Sequence, residues 1–118
     1  MAFVNMLERK NPNTPIDVNY KFQSGWTALH FAAMNPTITI ISRLINHPKI
    51  DVNALTDFGD TPLHISVKSN KLENTLLLLS AGVCIDKRDN DLNTALHYAA
   101  ELGYKEIGEA LIAHGACY

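Results

Sequence analysis

The side chains with which this chain of 118 residues could do chemistry are five histidines, two cysteines and twelve acidic residues. Three of the histidines sit in nearly the same words. Thr27 opens "TALHFAA", Thr61 opens "TPLHISV" and Thr94 opens "TALHYAA". The spacings between His30, His64 and His97 are 64 − 30 = 34 and 97 − 64 = 33. A zinc ligand or an acid/base catalyst is one reading of such a residue. A histidine that returns at a fixed period, however, belongs to a repeating structural unit before it belongs to an active site. The cysteines follow the same rule: Cys84 and Cys117 lie 117 − 84 = 33 residues apart, without a His–Asn partner at a familiar nucleophile spacing. The acids Asp57, Asp60, Asp89 and Asp91 gather just ahead of two of the histidines. They suggest a calcium or carboxylate site, but the expectation is a solvated loop. No G-x-S-x-G, P-loop or H-E-x-x-H occurs, so the chain is not expected to be an enzyme.

Bulk properties narrow the class. The length suits one domain over 1–118, and 47% hydrophobic with 19% charged residues is ordinary for a folded chain. A net charge of −2 supplies no field that would draw it to nucleic acid or an anionic membrane. The longest all-apolar run, Leu76 to Leu79, is far short of the roughly 20 residues that span a bilayer. The opening "MAFVNMLERK" does not read as a signal peptide. Cysteines at equivalent places in stacked helical units would stand about 8–10 Å apart, beyond the roughly 7 Å a disulfide allows. Two free thiols and a reducing, intracellular setting, cytoplasmic or nuclear, are expected.

Sliding the chain against itself matches more than histidine. Gly59 answers Gly25, Gly115 answers Gly82, and "IDVN" occurs at 16–19 and 50–53 with a weakened copy, "VCID", at 83–86. Three units follow, 20–53, 54–87 and 88–118, after a half unit at 1–19. Each has a physical derivation. Thr61 is a good N-cap, and Pro62 fits the first helical position because its missing N–H loses no bond there. Ala28 and Ala95 stand in for that proline at little cost. Leu29, Leu63 and Leu96 point inward, and the small pairs Ala32–Ala33, Ser66–Val67 and Ala99–Ala100 let helices approach. The first helix stops near Pro36, Asn70 or Gly103. A second helix carries apolar residues at helical spacing: Ile38, Ile41, Leu44 and Ile45; then Leu72, Leu76 and Leu79 with Leu77 and Leu78; then Ile107, Leu111 and Ile112. Gly82 and Gly115 fall just past the helix ends, where a left-handed residue is wanted.

The pattern resembles the ankyrin repeat, a 33-residue unit marked by T-P-L-H-x-A. The resemblance covers about residues 2–118 and implies an all-α solenoid of stacked helix-turn-helix units with β-hairpin tips along one edge. It also implies that each repeated histidine bonds backbone or threonine hydroxyls near its hairpin. In a stack, the outer two rings lie near 20 Å apart, too far for three to share an ion. His47 and His114, at second-helix ends, read as caps. Pro48–Lys49 replaces a glycine turn, Asp86 replaces an asparagine, and Leu92 replaces a glycine, so the third hairpin is expected to turn differently.

What the resemblance implies for function is a non-enzymatic module that grips a protein partner through hairpin tips and the concave helix face, with no cofactor and no metal. The variable positions are Gln23, Ser24, Trp26, Asp57, Phe58, Asp60, Asn90, Asp91 and Asn93 on the hairpins. On the first helices they are Met34, Asn35, Lys68, Ser69, Glu101 and Leu102. Trp26 and Phe58 stand out as aromatic anchors. Small monomeric adaptors and kinase inhibitors share this build. The alternative is the recognition part of a larger protein, such as an enzyme or a bacterial or viral effector acting in host cytoplasm.

Overall fold

The computed structural model describes residues 17–117; the half unit at 1–19 lies outside the described residues but for its last three. Six helices appear in order: α1 Ala28–Ala33, α2 Ile38–Ile45, α3 Pro62–Lys68, α4 Leu72–Ser80, α5 Ala95–Leu102 and α6 Lys105–Ala113. Each odd-numbered helix packs on the even-numbered helix of its own unit and on the odd-numbered helix of the next, while α2, α4 and α6 form a second row. That is a stack of helix pairs.

The helix starts come from reciprocal caps. The hydroxyls of Thr61 and Thr94 accept the N–H of His64 and His97, both at 3.2 Å, and each ring returns the favour to the threonine N–H. Histidine here takes the place that glutamate or glutamine holds in the usual capping box. The first helices stop where expected: Asn70 (φ 56°) and Gly103 (φ 76°) turn left-handed beyond α3 and α5.

Leu29 and Leu63 are fully buried and Leu96 nearly so. Between the rows, α2 buries Ile41 and Leu44, and α6 buries Ile107 and Leu111. Helix α4 departs from the expected leucine stripe. Leu76 is exposed, and Leu78 is buried together with Asn74 and Thr75. The reason is polar. Asn74 Nδ2 donates to the carbonyls of Ala33 (2.9 Å) and Asn35 (2.8 Å), which end the first helix of the preceding unit. Thr75 bonds Lys71 O and Ser66. Orphan carbonyls at a buried helix end cost more than one exposed leucine, so they set the rotation of α4. Ile38 and Ile112 also face solvent, as does Ala100, which no further helix covers among the described residues.

The tips are tight turns, with no strand among the described residues. Each is closed by a bond across its base, Phe22 N–H to Trp26 O, Thr56 N–H to Asp60 O and Asp89 N–H to Asn93 O, at 2.7, 2.9 and 3.0 Å, and by one back to its first residue, from Gly25, Gly59 and Leu92 N–H to Phe22, Thr56 and Asp89 O. Neighbouring tips are joined by Asp57 N–H to Ser24 O (2.9 Å) and Asn90 N–H to Phe58 O (3.0 Å). The third tip does not turn differently. Leu92 adopts φ 65°, close to Gly25 (75°) and Gly59 (79°), and its N–H makes the same bond back to Asp89 O. A leucine tolerates this conformation because its side chain is 67% exposed and meets no crowding that would add to the backbone strain. At Gly25 and Gly59 an added Cβ would stand 2.6–2.9 Å from the next hairpin, so glycine is required there for space as well as for φ.

The extended segments are laddered by the "IDVN" asparagines. Asn19 Oδ1 accepts Asp51 N–H and Asn53 Oδ1 accepts Cys84 N–H, both at 2.8 Å. Asp86 keeps the acceptor role towards Cys117 N–H (3.0 Å), which explains why aspartate serves in place of asparagine. Both cysteines are free and exposed.

Candidate functional site

The recurring histidines are structural ties between units. His30 Nδ1 accepts Thr27 N–H and His64 Nδ1 accepts Thr61 N–H, each at 3.0 Å. A nitrogen that accepts a backbone N–H carries no proton, so in the neutral ring the proton is on Nε2. His30 Nε2 therefore donates to Asp60 O and His64 Nε2 to Asn93 O, both at 2.9 Å. Both acceptors belong to the tip turn of the following unit, 30 and 29 residues away, partners that periodicity alone did not reveal. Burial lowers the pKa of both rings, against a smaller raising effect of those carbonyls. His97 makes the bond to Thr94 N–H, but its ring is exposed. Of the two expected caps, His114 behaves as one, with Nδ1 2.8 Å from Ala110 O. His47 instead accepts Lys49 N–H and shapes the Pro48 turn.

The acidic tip residues split into two kinds. Asp57 and Asp91 are exposed, as a solvated loop requires. Asp60 and Asp89 are not: they are 7% and 5% exposed. Asp60 Oδ2 pairs with Lys68 Nζ at 2.9 Å, and that ammonium also sits 4.5 Å from the centroid of the Tyr98 ring. Asp89 Oδ1 accepts Asp91 N–H and Asn93 N–H at 3.0 Å, and Oδ2 accepts the Tyr98 hydroxyl. Asp60 is thus a junction residue rather than a solvated tip charge, because its carboxylate folds under Lys68 instead of out into water.

Asp60, His64 and Asp89 offer ligand atoms within 4.8 Å of one another, the only such acid and histidine group among the described residues. The geometry does not suit a cation. Both ring nitrogens of His64 are engaged, with the proton on Nε2, and Lys68 already places a positive charge on Asp60. An ion would have two carboxylates beside an ammonium and no imidazole.

The first unit fills the corresponding places with rings. Trp26 is half-buried against Phe31 (centroids 5.0 Å) and His30 (5.8 Å), and Phe22 bridges Phe31 (6.0 Å) and Tyr20 (5.0 Å). Phe58 is 63% exposed at the second tip. Gln23, Ser24, Asn90, Met34, Glu101 and Leu102 are also exposed, whereas Asn93, Asn35, Lys68 and Ser69 are half-buried. Leu92, absent from the sequence-based set, is an exposed apolar residue of the third tip; its place at a glycine position was the available signal.

The family model described as Ankyrin repeats (3 copies) matches residues 3–89 and 49–118. The chain belongs to the ankyrin repeat family. Individual relatives agree. The chain is 30% identical over 87 residues to the human transient receptor potential cation channel subfamily A member 1, covering 73% of this chain and 8% of the channel. It is 31% identical over 107 residues to the probable 26S proteasome regulatory subunit p28 of Saccharomyces cerevisiae, covering 90% and 46%. It is 36% identical over 93 residues to the Drosophila melanogaster tyrosine-protein kinase Shark, covering 78% and 10%. The chain therefore spans less than half the length of each of these relatives. No helix of the described residues is long and apolar enough to cross a membrane.

Proposed function

We propose that this ankyrin domain is a non-catalytic binding module that grips a protein partner along the turn tips and the adjoining first-helix face. The observation that carries the reading is the division of labour among its polar groups. The buried histidines and Asp89 are held in bonds that build the stack. Large apolar side chains meanwhile face solvent at Phe58, Leu92, Met34 and Leu102. Aromatic anchors dominate interface energies, which favours Phe58 at the tip. Trp26 contributes its exposed edge while its other face packs on Phe31.

A second reading is favoured by the lengths of the relatives. The matching segment lies within longer proteins, two of whose names denote a channel and a kinase. That supports a recognition segment acting for other domains. The setting we propose is cytoplasmic or nuclear, or a host cytoplasm if the chain belongs to an effector. The test of both readings is affinity capture from a matched lysate with the native chain and with Phe58→Ala. The binding reading predicts captured proteins that are reduced in the variant at unchanged melting temperature. Capture unaffected by Phe58→Ala and by Met34→Ala would remove this face from the account.

A further inference from the structure

We propose that Asp60 and Asp89 bind one proton between them, and that this shared proton ties the second hairpin to the third unit. The argument starts from an oxygen with nothing to bond. Asp60 Oδ2 has the Lys68 ammonium, but Oδ1 is buried and is the one buried side-chain polar atom without a hydrogen-bond partner among the described residues. The neighbouring carboxylate is that of Asp89, with an oxygen of each group within 4.8 Å of the other. The Lys68 ammonium is directed at Oδ2, and the other donors around the pair are directed elsewhere. The His64 Nε2–H goes to Asn93 O, the Tyr98 hydroxyl goes to Asp89 Oδ2, and the N–H groups of Asp91 and Asn93 go to Asp89 Oδ1.

With both carboxyls ionised, two negative charges would face one ammonium at a buried junction, and two acceptors would oppose each other with no hydrogen between them. Both conditions are costly. One proton on Asp60 Oδ1, donated to Asp89, removes both. The orphan oxygen gains a partner, and the cluster becomes one anion, Asp89, beside one cation, Lys68. The proton belongs on Asp60 because Asp89 already accepts three donors, which stabilise its charged form. The other charged groups agree. Burial raises the Asp60 carboxyl above the usual range, with Lys68 pulling down and Asp89 pushing up. At Asp89 burial acts upward as well, but the Tyr98 hydroxyl and the Asn93 N–H outweigh it and hold the group low. Against burial, the hydrogen bond to Asp60 Oδ2 and the negative charge on Asp89 hold Lys68 cationic, while burial and Asp89 keep the Tyr98 phenol protonated.

The sign follows. A carboxyl whose folded pKa lies above its unfolded value contributes its stability at low pH and loses it as pH rises through the folded pKa. Unloading the pair leaves a net negative charge under Lys68, on the face assigned above to a partner. That last consequence rests on the binding reading; the shared proton does not.

The experiment is a carbon-13 NMR titration of the aspartate carboxyls in the full chain, from about pH 2 to about pH 9, spanning the ordinary aspartate value near 3.9. Native protein, Asp60→Asn and Asp89→Asn are compared, with amide spectra to verify folding. The expected result is one junction carboxyl titrating above the ordinary range and one below it. The high step is lost in Asp60→Asn and moves down in Asp89→Asn. If Asp89→Asn fails to fold, the native and Asp60→Asn titrations decide alone. Ordinary titration of both carboxyls overturns the proposal, and so does a high step that survives Asp60→Asn. Saturable shifts of both carboxyl signals on adding calcium or zinc at neutral pH would replace the proton with a metal ion.

Discussion

The junction between the first two units and the junction between the last two use the same backbone register with opposite chemistry. At the first junction the places of Asp60, Lys68, Asp89 and Tyr98 fall to Trp26, Met34, Thr56 and Ile65. None of these is charged, and Trp26 packs on Phe31 of its own unit at 5.0 Å. At the second junction the same places hold an ammonium, two carboxyls and a phenol. The ties common to both junctions are the histidine-to-carbonyl bond and the tip-to-tip bond. The comparison teaches that the repeat fixes the backbone and leaves the glue to be chosen. An apolar junction responds weakly to pH and salt, whereas a buried ionic one is a point of control.

The largest effects come from breaking what the junctions share. His30→Ala and His64→Ala should each lower unfolding free energy by about 3 kcal/mol or more, because a fully buried ring is lost and a threonine N–H and a hairpin carbonyl are left unpaired. His97→Ala removes an exposed ring and should cost about 1 kcal/mol or less. Urea denaturation of the three variants checks this; equal losses at all three positions would remove the inter-unit tie from the explanation.

The next effects separate the junctions. Phe31→Ala should cost about 2 kcal/mol, less than for a fully buried ring, and by the same amount at acid and neutral pH. Lys68→Met should cost about 1–2 kcal/mol at neutral pH and less in acid. Its partner Asp60 is then protonated and needs no counter-ion. Equal pH slopes for the two variants would erase the contrast.

A background pH effect of opposite sign has to be subtracted. His30 and His64 have lowered pKa values in the fold. Their contribution is present above the unfolded value of about 6.5 and is lost as pH falls through the folded values. Acid should therefore destabilise the chain through the histidines and through Asp89, whose folded value is also lowered, while rising pH destabilises it through Asp60. Asp60→Asn should abolish only the second limb, which stability curves of the two proteins measured against pH would reveal.

The smallest effect lies away from both junctions. An added Cβ at Gly108 would make ordinary contacts, 3.9 Å from Ala99 Cβ and 4.0 Å from Leu96 Cδ1. Gly108→Ala should therefore stabilise α6 by about 0.8–1 kcal/mol, seen as a higher urea midpoint. A lower midpoint would mean that the third unit is already packed too tightly to accept a methyl group.

Much of the stack was legible because its signals are local. A threonine cap, a proline at the first helical turn and the glycines past α4 and α6 place elements without reference to anything distant. The face of α4 was misread because leucine content was taken to set its rotation, when Asn74 capping carbonyls of the preceding unit decides it. The third tip was misread because leucine at a glycine position suggests another turn, although an exposed leucine can bear a left-handed conformation. The Asp60–Asp89 pair was hidden for a different reason. Its members lie 29 residues apart, and only the stacked geometry brings them together under Lys68.

The most direct test of the two-junction account is amide hydrogen exchange at the paired tip bonds, corrected for the intrinsic pH dependence of exchange. Asp57 N–H to Ser24 O reports the first junction, and Asn90 N–H to Phe58 O reports the second. As pH rises from the acid range towards neutrality, the account predicts at Asp57 only the gain contributed by His30, unchanged in Asp60→Asn. At Asn90 it predicts, against the like background of His64, an added fall that disappears in Asp60→Asn. The same pH dependence at both amides, or a fall at Asn90 that persists in Asp60→Asn, would contradict it.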